Sequence, residues 1–228
     1  GAVETLNLGS FKVVSLESTS EVKNNNERLM GTLLLQSQKA KQGSNQLAVS
    51  GNLKAYINTK NVGDTLKIFI DCSAIHKAYE NKKEDRYIGI KGVDLTMYLS
   101  IPNVEIINQI NDFSIVANDL EAEKVNLSTQ RGEVKVTSSK IAHLNAESVN
   151  GYLSVDKSSI DTLILDLDNL SGWNIANSRI DIENLTGSRY HSIRQSKTES
   201  NTVNWTPKNK SAELNITIPN DTVKIIFP

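Results

Sequence analysis

Apolar and polar residues alternate along most of this chain, and period-two alternation is typical of β-strands. Helical spacing of apolar residues is almost absent. Turn residues such as Gly51-Asn52 and Pro102-Asn103 separate the alternating segments, because proline cannot donate to a strand ladder. The alternating segments before the middle of the chain include residues 47–49, 66–70, 95–101 and 104–106.

One segment breaks this pattern. Residues 73–80 predict a single short helix, with Ser73 as its N-cap. The mixed charges of residues 82–86 follow it. They are typical of a solvated connector, with a binding loop as the alternative.

A longer pattern recurs four times between residues 113 and 180. Each copy has the form apolar, any residue, apolar, four mostly polar or small residues, apolar, and the first members lie 21, 19 and 20 residues apart. Glycine precedes the later copies, at corners that need positive φ or a close backbone approach. The copies are Phe113/Ile115/Leu120, Val134/Val136/Ile141, Leu153/Val155/Ile160 and Trp173/Ile175/Ile180, and the glycines are Gly132, Gly151 and Gly172.

This repeat predicts an all-β fold, a right-handed single-stranded β-helix-like solenoid with rungs of about 20 residues. Hairpins of an antiparallel sandwich would also alternate, but a sandwich does not require one pattern to recur in register. We expect one continuous unit with three parts. They are an N-terminal β-strand region and cap (1–100), solenoid repeats (101–188), and a C-terminal loop with a capping β-hairpin built from Leu214–Ile218 and Val223–Phe227 (189–228).

Several of these features resemble one known family. The strand of residues 95–102 followed by Val104, the turns of about 20 residues after it, and the early strand at Gly51-Asn52-Leu53 are similar to the auto-transporter adhesin head GIN domain. The resemblance covers most of the chain, although the Ser-Gly-Ser-Gly corners frequent in that family are reduced here to single glycines, as at Ser171-Gly172. It implies a bacterial secreted or surface β-solenoid and supplies no catalytic residues.

Composition excludes several classes of protein. The 228 residues carry 25 Lys and Arg against 26 Asp and Glu, a formal net charge of −1. That balance argues against a nucleic-acid-binding protein that depends on bulk positive potential. No apolar stretch is long enough to span a membrane, and the single Cys72 cannot form an intrachain disulfide or a multi-cysteine zinc site. Gly1 ahead of an ordinary polar segment suggests a removed leader, and hence an extracellular, surface or periplasmic protein.

Carboxylates form the strongest candidate for chemistry. Asp166 and Asp168 share one face of a predicted strand, about 6.6 Å apart by strand rise, and Glu147 falls one rung away. Such a group predicts a cation site or a sugar-hydroxyl site. The competing interpretation, which we favour, is the solvated outer face of a strand whose inner face is leucine.

Aromatic side chains provide the other candidates, because sugar-binding surfaces use them. Trp205 is either an exposed stacking platform or a plug for the last rung, and the plug is favoured. Tyr190 beside His191 forms a weaker candidate patch. We read all three histidines, His76, His143 and His191, as surface residues, and no spacing indicates a metal site or a cofactor.

Three functions follow from these observations. The leading hypothesis is a non-catalytic secreted or cell-surface module, an adhesin or ligand-binding protein whose partner is a host or bacterial surface glycan or protein. A pectinase-like carbohydrate-active enzyme is the alternative, since some parallel β-helices cleave pectin with clustered carboxylates and a basic residue. Binding of a lipid or another apolar ligand between the cap and the solenoid is the third.

Overall fold

The computed structural model describes residues 3–19, 30–37, 44–80, 92–194, 199–217 and 224–226. Within these ranges the chain is almost entirely β-strand, with one helix and two short 3₁₀ turns, at residues 54–56 and 167–169. The elements are β1 (Val3–Asn7), β2 (Val13–Ser18), β3 (Gly31–Ser37), β4 (Gln46–Ser50), β5 (Ile57–Val62), β6 (Thr65–Ile70), α1 (Cys72–Glu80), β7 (Val93–Leu99), β8 (Asn103–Asn108), β9 (Phe113–Asn118), β10 (Glu121–Gln130), β11 (Glu133–Thr137), β12 (Lys140–Val149), β13 (Tyr152–Asp156), β14 (Ser159–Asp166), β15 (Gly172–Ala176), β16 (Arg179–Gly187), β17 (Tyr190–Arg194), β18 (Glu199–Pro207), β19 (Glu213–Thr217) and β20 (Lys224–Ile226).

Two large sheets enclose the core. One has eight strands in the order β1-β4-β7-β3-β9-β11-β13-β15, and the other has ten in the order β20-β18-β16-β14-β12-β10-β8-β2-β6-β5. From β9 to β16 consecutive strands alternate between the sheets, and each pairs in parallel with the strand one coil away. The chain is therefore a β-solenoid with coils of about 20 residues, as the repeat predicted.

The predicted inward columns are confirmed with two corrections. Phe113, Ile115, Val134, Val136, Leu153, Val155 and Ile175 are buried. Ile115, and not Phe113, pairs with Val134, a shift of two residues that leaves every side chain on its predicted face. Trp173 pairs with Leu153 as expected but is only partly buried, because β15 is the last strand of its sheet.

The corners of the coils hold residues in the left-handed region. Ser138, Lys157 and Asn177 all have φ of 50° at one corner. At the other corner Arg131 has φ of 55° and precedes Gly132, whose own need is space, since a Cβ there would lie 2.1 Å from the carbonyl oxygen of Phe113. At the predicted glycine corner, Arg131 therefore takes the positive φ, and Gly132 allows the close backbone approach.

A ladder of buried serines fixes the first of these corners. Ser139, Ser158 and Ser178 are equivalent residues of successive coils, and each hydroxyl donates to the carbonyl two residues before it, at 2.8 to 2.9 Å. The hydroxyls of Ser158 and Ser178 in turn accept from the backbone N–H of Ser139 and Ser158, at 3.2 and 3.1 Å. Every corner is therefore bonded to the next, which satisfies buried polar groups and makes this edge rigid.

The N-terminal region is continuous with the solenoid. β2, β3 and β7 pair in parallel with solenoid strands or with each other, whereas β1, β4 and β5 add antiparallel pairings. Helix α1 begins one residue before Ser73, and Asp71 caps it, with its Oδ1 accepting from the N–H of Ala74 at 3.0 Å. Ser73 as N-cap is therefore wrong. The predicted loop at residues 82–86 lies outside the described residues.

The predicted C-terminal hairpin is wrong in its pairing. β19 pairs in parallel with β17, and β20 pairs in parallel with β18, so these strands extend the winding and do not fold back on each other. Leu214 and Ile216 of β19 pack against the core, whereas Ile225 of β20 is 44% exposed. Among the described residues, no helix has the length and apolar character needed to cross a membrane.

Candidate functional site

The two candidate aspartates do not share a strand face. β14 ends at Asp166, and the chain then enters the 3₁₀ turn of residues 167–169. The reason is local: Oδ1 of Asp166 accepts a hydrogen bond from the N–H of Asp168 at 3.2 Å, and such side-chain bonds compete with strand pairing. Leu167 is buried in this turn, as the leucine stripe predicted.

A lysine that the sequence pattern did not indicate joins the aspartates. Nζ of Lys208 lies 2.7 and 2.6 Å from the two carboxylate oxygens of Asp166, and 3.1 Å from Oδ2 of Asp168. Lys208 directly follows β18, and its N–H donates to the carbonyl of Gly187 one coil away, which places it beside the turn. Hydrogen bonds to these carboxylates raise the pKa of the Lys208 ammonium, and the bond to Asp166 has the larger effect.

Asp168 is also held from the other side. Oδ1 accepts from the N–H of Ser188 at 2.9 Å and lies 3.0 Å from Nε2 of His191. Burial raises the pKa of Asp168, but hydrogen bonds from Ser188, Lys208 and His191 outweigh it, so the pKa lies well below its usual range. We call Asp166, Asp168, Lys208 and His191 the acid–lysine cluster.

His191 is a buried residue, so its interpretation as a surface histidine is wrong. Its ring lies between two tryptophans, with centroids 6.2 Å from Trp173 and 6.5 Å from Trp205. Gly187 makes room for it, since a Cβ there would lie 2.7 Å from the imidazole. The cluster thus rests on an aromatic layer at the C-terminal coils.

The remaining candidates lie apart from one another. Trp205 is 4% exposed and pairs with Leu185 inside the solenoid, which is the position of a plug and not of a stacking platform. Tyr190 is 59% exposed on the strand that carries His191. The pairing of β12 with β14 ends at Asn145↔Ile164, two residues before Glu147 and Asp166.

The acid–lysine cluster is arranged for internal pairing. Its ammonium donates hydrogen bonds to both carboxylates, and the pKa directions keep Asp168 ionised and Lys208 protonated near neutral pH. A general acid or base works best with a pKa near the operating pH, and neither group is moved that way. Among the described residues, no three His, Cys, Asp or Glu side chains form a group suited to a metal ion.

A second site runs along the serine ladder. A groove of about 630 Å³ crosses three successive coils at this corner, and we call it the corner groove. Lys140, Lys157 and Arg179 each contribute a cation, and Ser138, Ser159 and Asn177 contribute hydroxyl and amide groups. Lys140, Ser159 and Arg179 occupy equivalent places on adjacent strands, so the groove spans about 9.6 Å across two strand spacings.

The cations of the corner groove are only partly neutralised. Among the described residues, Lys140 and Lys157 make no ion pair. Arg179 donates from Nε and Nη2 to Asp181, both at 2.9 Å, and its side chain is 60% exposed. A guanidinium has five N–H donors, so three remain available.

The sequence contains a signal for the corner groove that hydropathy alone does not reveal. The polar tetrads between the apolar positions of the repeat carry its lining: residues 137–140, 156–159 and 176–179. Each includes one cation and at least one serine. In this alignment Lys140 and Arg179 take the fourth place of the tetrad and Lys157 takes the second, so the three cations lie at the same corner of successive coils.

Comparisons with known proteins give only distant likenesses. No family model and no curated protein sequence matches the chain. Among solved structures, a putative adhesin of Bacteroides fragilis is 13% identical, with 99% of this chain and 96% of that chain covered and a TM-score of 0.49. A putative adhesin of Parabacteroides merdae is 11% identical (99% and 94% covered, TM-score 0.40), and a putative lipid-binding protein of Parabacteroides distasonis is 14% identical (99% and 97%, 0.37). None of these values is high enough to transfer a ligand or an activity to this chain.

Proposed function

We propose that this chain is a non-catalytic secreted or cell-surface module that binds its ligand along the side of the solenoid. The observation that carries the proposal is the corner groove, which presents cations, hydroxyls and an amide from three successive coils. The serine ladder beneath it fixes the backbone before any ligand arrives, and such pre-organisation lowers the entropic cost of binding. Such a surface suits an extended partner.

The same proposal places the chain among the auto-transporter adhesin head GIN domains, in an extracellular, surface or periplasmic location. It rests on the strand and turn motif of residues 95–104 and on the β-solenoid. The predicted strand at Gly51-Asn52-Leu53 is wrong and gives no support, because those residues form a turn. Tyr190 and Glu147 remain proposed ligand contacts on the lateral surface. Asp166, Asp168 and Trp205 are proposed to support that surface from within, through the acid–lysine cluster and the aromatic layer.

Binding to a panel of purified polymers tests this function. The immobilised chain is exposed to neutral glycans, acidic glycans and extracellular-matrix proteins, and binding is followed by biolayer interferometry. We expect saturable binding to at least one polymer, without release of fragments. Tyr190→Ala should weaken it if the patch takes part, with the exposed Tyr152→Ala as matched control. No binding to any member of the panel would contradict the proposal.

One observation favours the pectinase-like alternative. Asp166, Asp168 and Lys208 converge, and pectin-cleaving β-helices need carboxylates and a basic residue together. Because these groups neutralise each other, we expect no turnover. The measurement is incubation with polygalacturonate and Ca²⁺, read by unsaturated-product absorbance and by reducing ends. Turnover that is abolished in Asp166→Asn would establish the enzyme and remove our proposal.

A further inference from the structure

We propose that the corner groove binds a linear acidic polysaccharide, whose carboxylates pair with Lys140, Lys157 and Arg179 while its hydroxyls bond to the polar groups between them. This inference rests on the proposed binding function and names its ligand. The chain as a whole carries no excess of positive charge, with a net charge of −1, so the attraction must be local to the groove. Lys140 and Lys157 are the local source, because they are exposed and make no ion pair with the described residues.

The spacing of the groups favours a polymer with separated charges. One cation is contributed by each coil, and coils repeat at about 4.8 Å. Across the coils, Ser159 lies between Lys140 and Arg179, and Ser138 and Asn177 flank Lys157 at the equivalent corner position. A chain of uronic-acid residues presents the complementary order, a carboxylate followed by hydroxyls, along one direction.

The position of Arg179 adds a directional contact. Asp181 holds its guanidinium by two hydrogen bonds of 2.9 Å, which fixes the plane. The side chain is 60% exposed, and the other three of its five N–H donors have no partner among the described residues. A planar guanidinium of this kind pairs with carboxylates in bidentate geometry. Asn177 is oriented in the same way, since its Nδ2 donates to Asp156 at 2.8 Å and its carbonyl oxygen remains an acceptor for a sugar hydroxyl.

Other polyanions fit this groove less well. Single-stranded nucleic acid relies on aromatic side chains for stacking, and none of the described residues that line the groove is aromatic. Anionic membranes are recognised by clusters of about four to eight basic residues, more than the three cations among the described residues that line the groove. The hydroxyl-rich lining between dispersed cations therefore favours a glycan over both.

The test uses one ligand in two charge states. Galacturonate oligomers of fixed length and their fully methyl-esterified forms have the same backbone and hydroxyls but differ in charge, so calorimetric titration of the wild-type chain isolates the carboxylates without any mutation. We expect binding of the acidic oligomer, weakened by added salt, and at least about tenfold weaker binding of the ester, since charge-assisted bonds are lost.

Paired variants locate the contact. Lys140→Gln/Lys157→Gln should weaken acidic-oligomer binding by about tenfold or more, on the scale expected for two charge-assisted bonds. Lys60→Gln/Lys210→Gln removes the same charge from exposed positions outside the groove and should change it less than about twofold. Unchanged melting temperatures confirm the fold in both.

Three outcomes would overturn this inference. Equal binding of acid and ester would leave a lateral binding module but remove the acidic ligand. Equal loss in both variant pairs would show bulk electrostatics and not a groove. No binding of the oligomers, while other polymers of the panel bind, would reject the ligand class alone, whereas failure of the whole panel would reject the proposed function as well.

Discussion

At the scale of single residues, the environment of Asp168 has a consequence for stability. In the folded chain the pKa of its carboxyl group lies below the usual value of about 3.9. The folded state therefore stabilises the ionised carboxylate more than the unfolded state does. The stability that this group contributes is therefore present above about pH 4 and is lost as the pH falls through the folded-state pKa.

Asp168→Asn tests that contribution. We expect the variant to unfold more easily than the wild type at neutral pH, because the bonds from Lys208 and His191 to a charged acceptor are lost. The difference should shrink as the pH falls below about 4, in urea titrations repeated across the acid range. Asp161→Asn, at an exposed position outside the cluster, is the matched control, and a difference that stayed constant with pH would refute the role of the charge.

Core columns give a second prediction at this scale. Val155 is fully buried between Val136 and Ile175 of the adjacent strands. Val155→Ala should lower the free energy of unfolding by about 1–3 kcal/mol through lost burial and an unfilled cavity. Lys135→Ala, at an exposed position, should change it by less than about 0.5 kcal/mol. Similar values for the two would contradict the inward register.

Single residues also mark the limit of sequence-based prediction. Inward parity was predictable because every second residue faces the core. The burial of His191 was not, since it depends on the space at Gly187 and on two tryptophans from other coils. The contact of Lys208 with the aspartates was not predictable for a similar reason, because Asp166 and Asp168 lie 42 and 40 positions away along the chain.

At the scale of elements, the strands were predictable and their partners less so. The alternation in Leu214–Ile218 predicts a strand but does not predict which strand it pairs with. A turn sequence such as Pro219-Asn220-Asp221 suggests a hairpin partner. In the structure, β19 instead pairs in parallel with β17. Local turn chemistry thus gave the wrong partner, because winding of the solenoid places a strand beside the one a coil earlier.

Two truncations separate the contributions of the last strands. Removing residues 212–228 takes away Leu214 and Ile216, which pack on the core, and uncovers the edge of β17. We expect aggregation or a much lower melting temperature, because open strand edges associate. Removing only residues 218–228 takes away β20, whose described side chains are exposed. Its loss uncovers only three residues of β18, so it should lower the melting temperature much less. An equal effect of both cuts would contradict the capping role of β19.

At the scale of the whole molecule, the repeat was the most informative part of the sequence. It predicted two strands per coil, polar corners and inward columns, because stacking equivalent residues demands one pattern in register. It did not predict the corner groove. The groove arises where cations from separate coils meet on one edge, and hydropathy carries no information about it.

The corner residues at positive φ imply that the length of this molecule changes only in whole coils. Each corner on the side of the serine ladder has a left-handed residue and a ladder serine, next to an inward column at a fixed place, so an insertion or deletion must restore all three together. Deleting the 19 residues 134–152 joins Glu133 to Leu153, the residue that Val134 already pairs with. We expect this chain to fold as a solenoid shortened by one coil, judged by circular dichroism and melting. Deleting residues 135–152, one residue fewer, reverses the facing of the column and should leave the chain unfolded. Folding of both variants alike would show that the corners do not set the register.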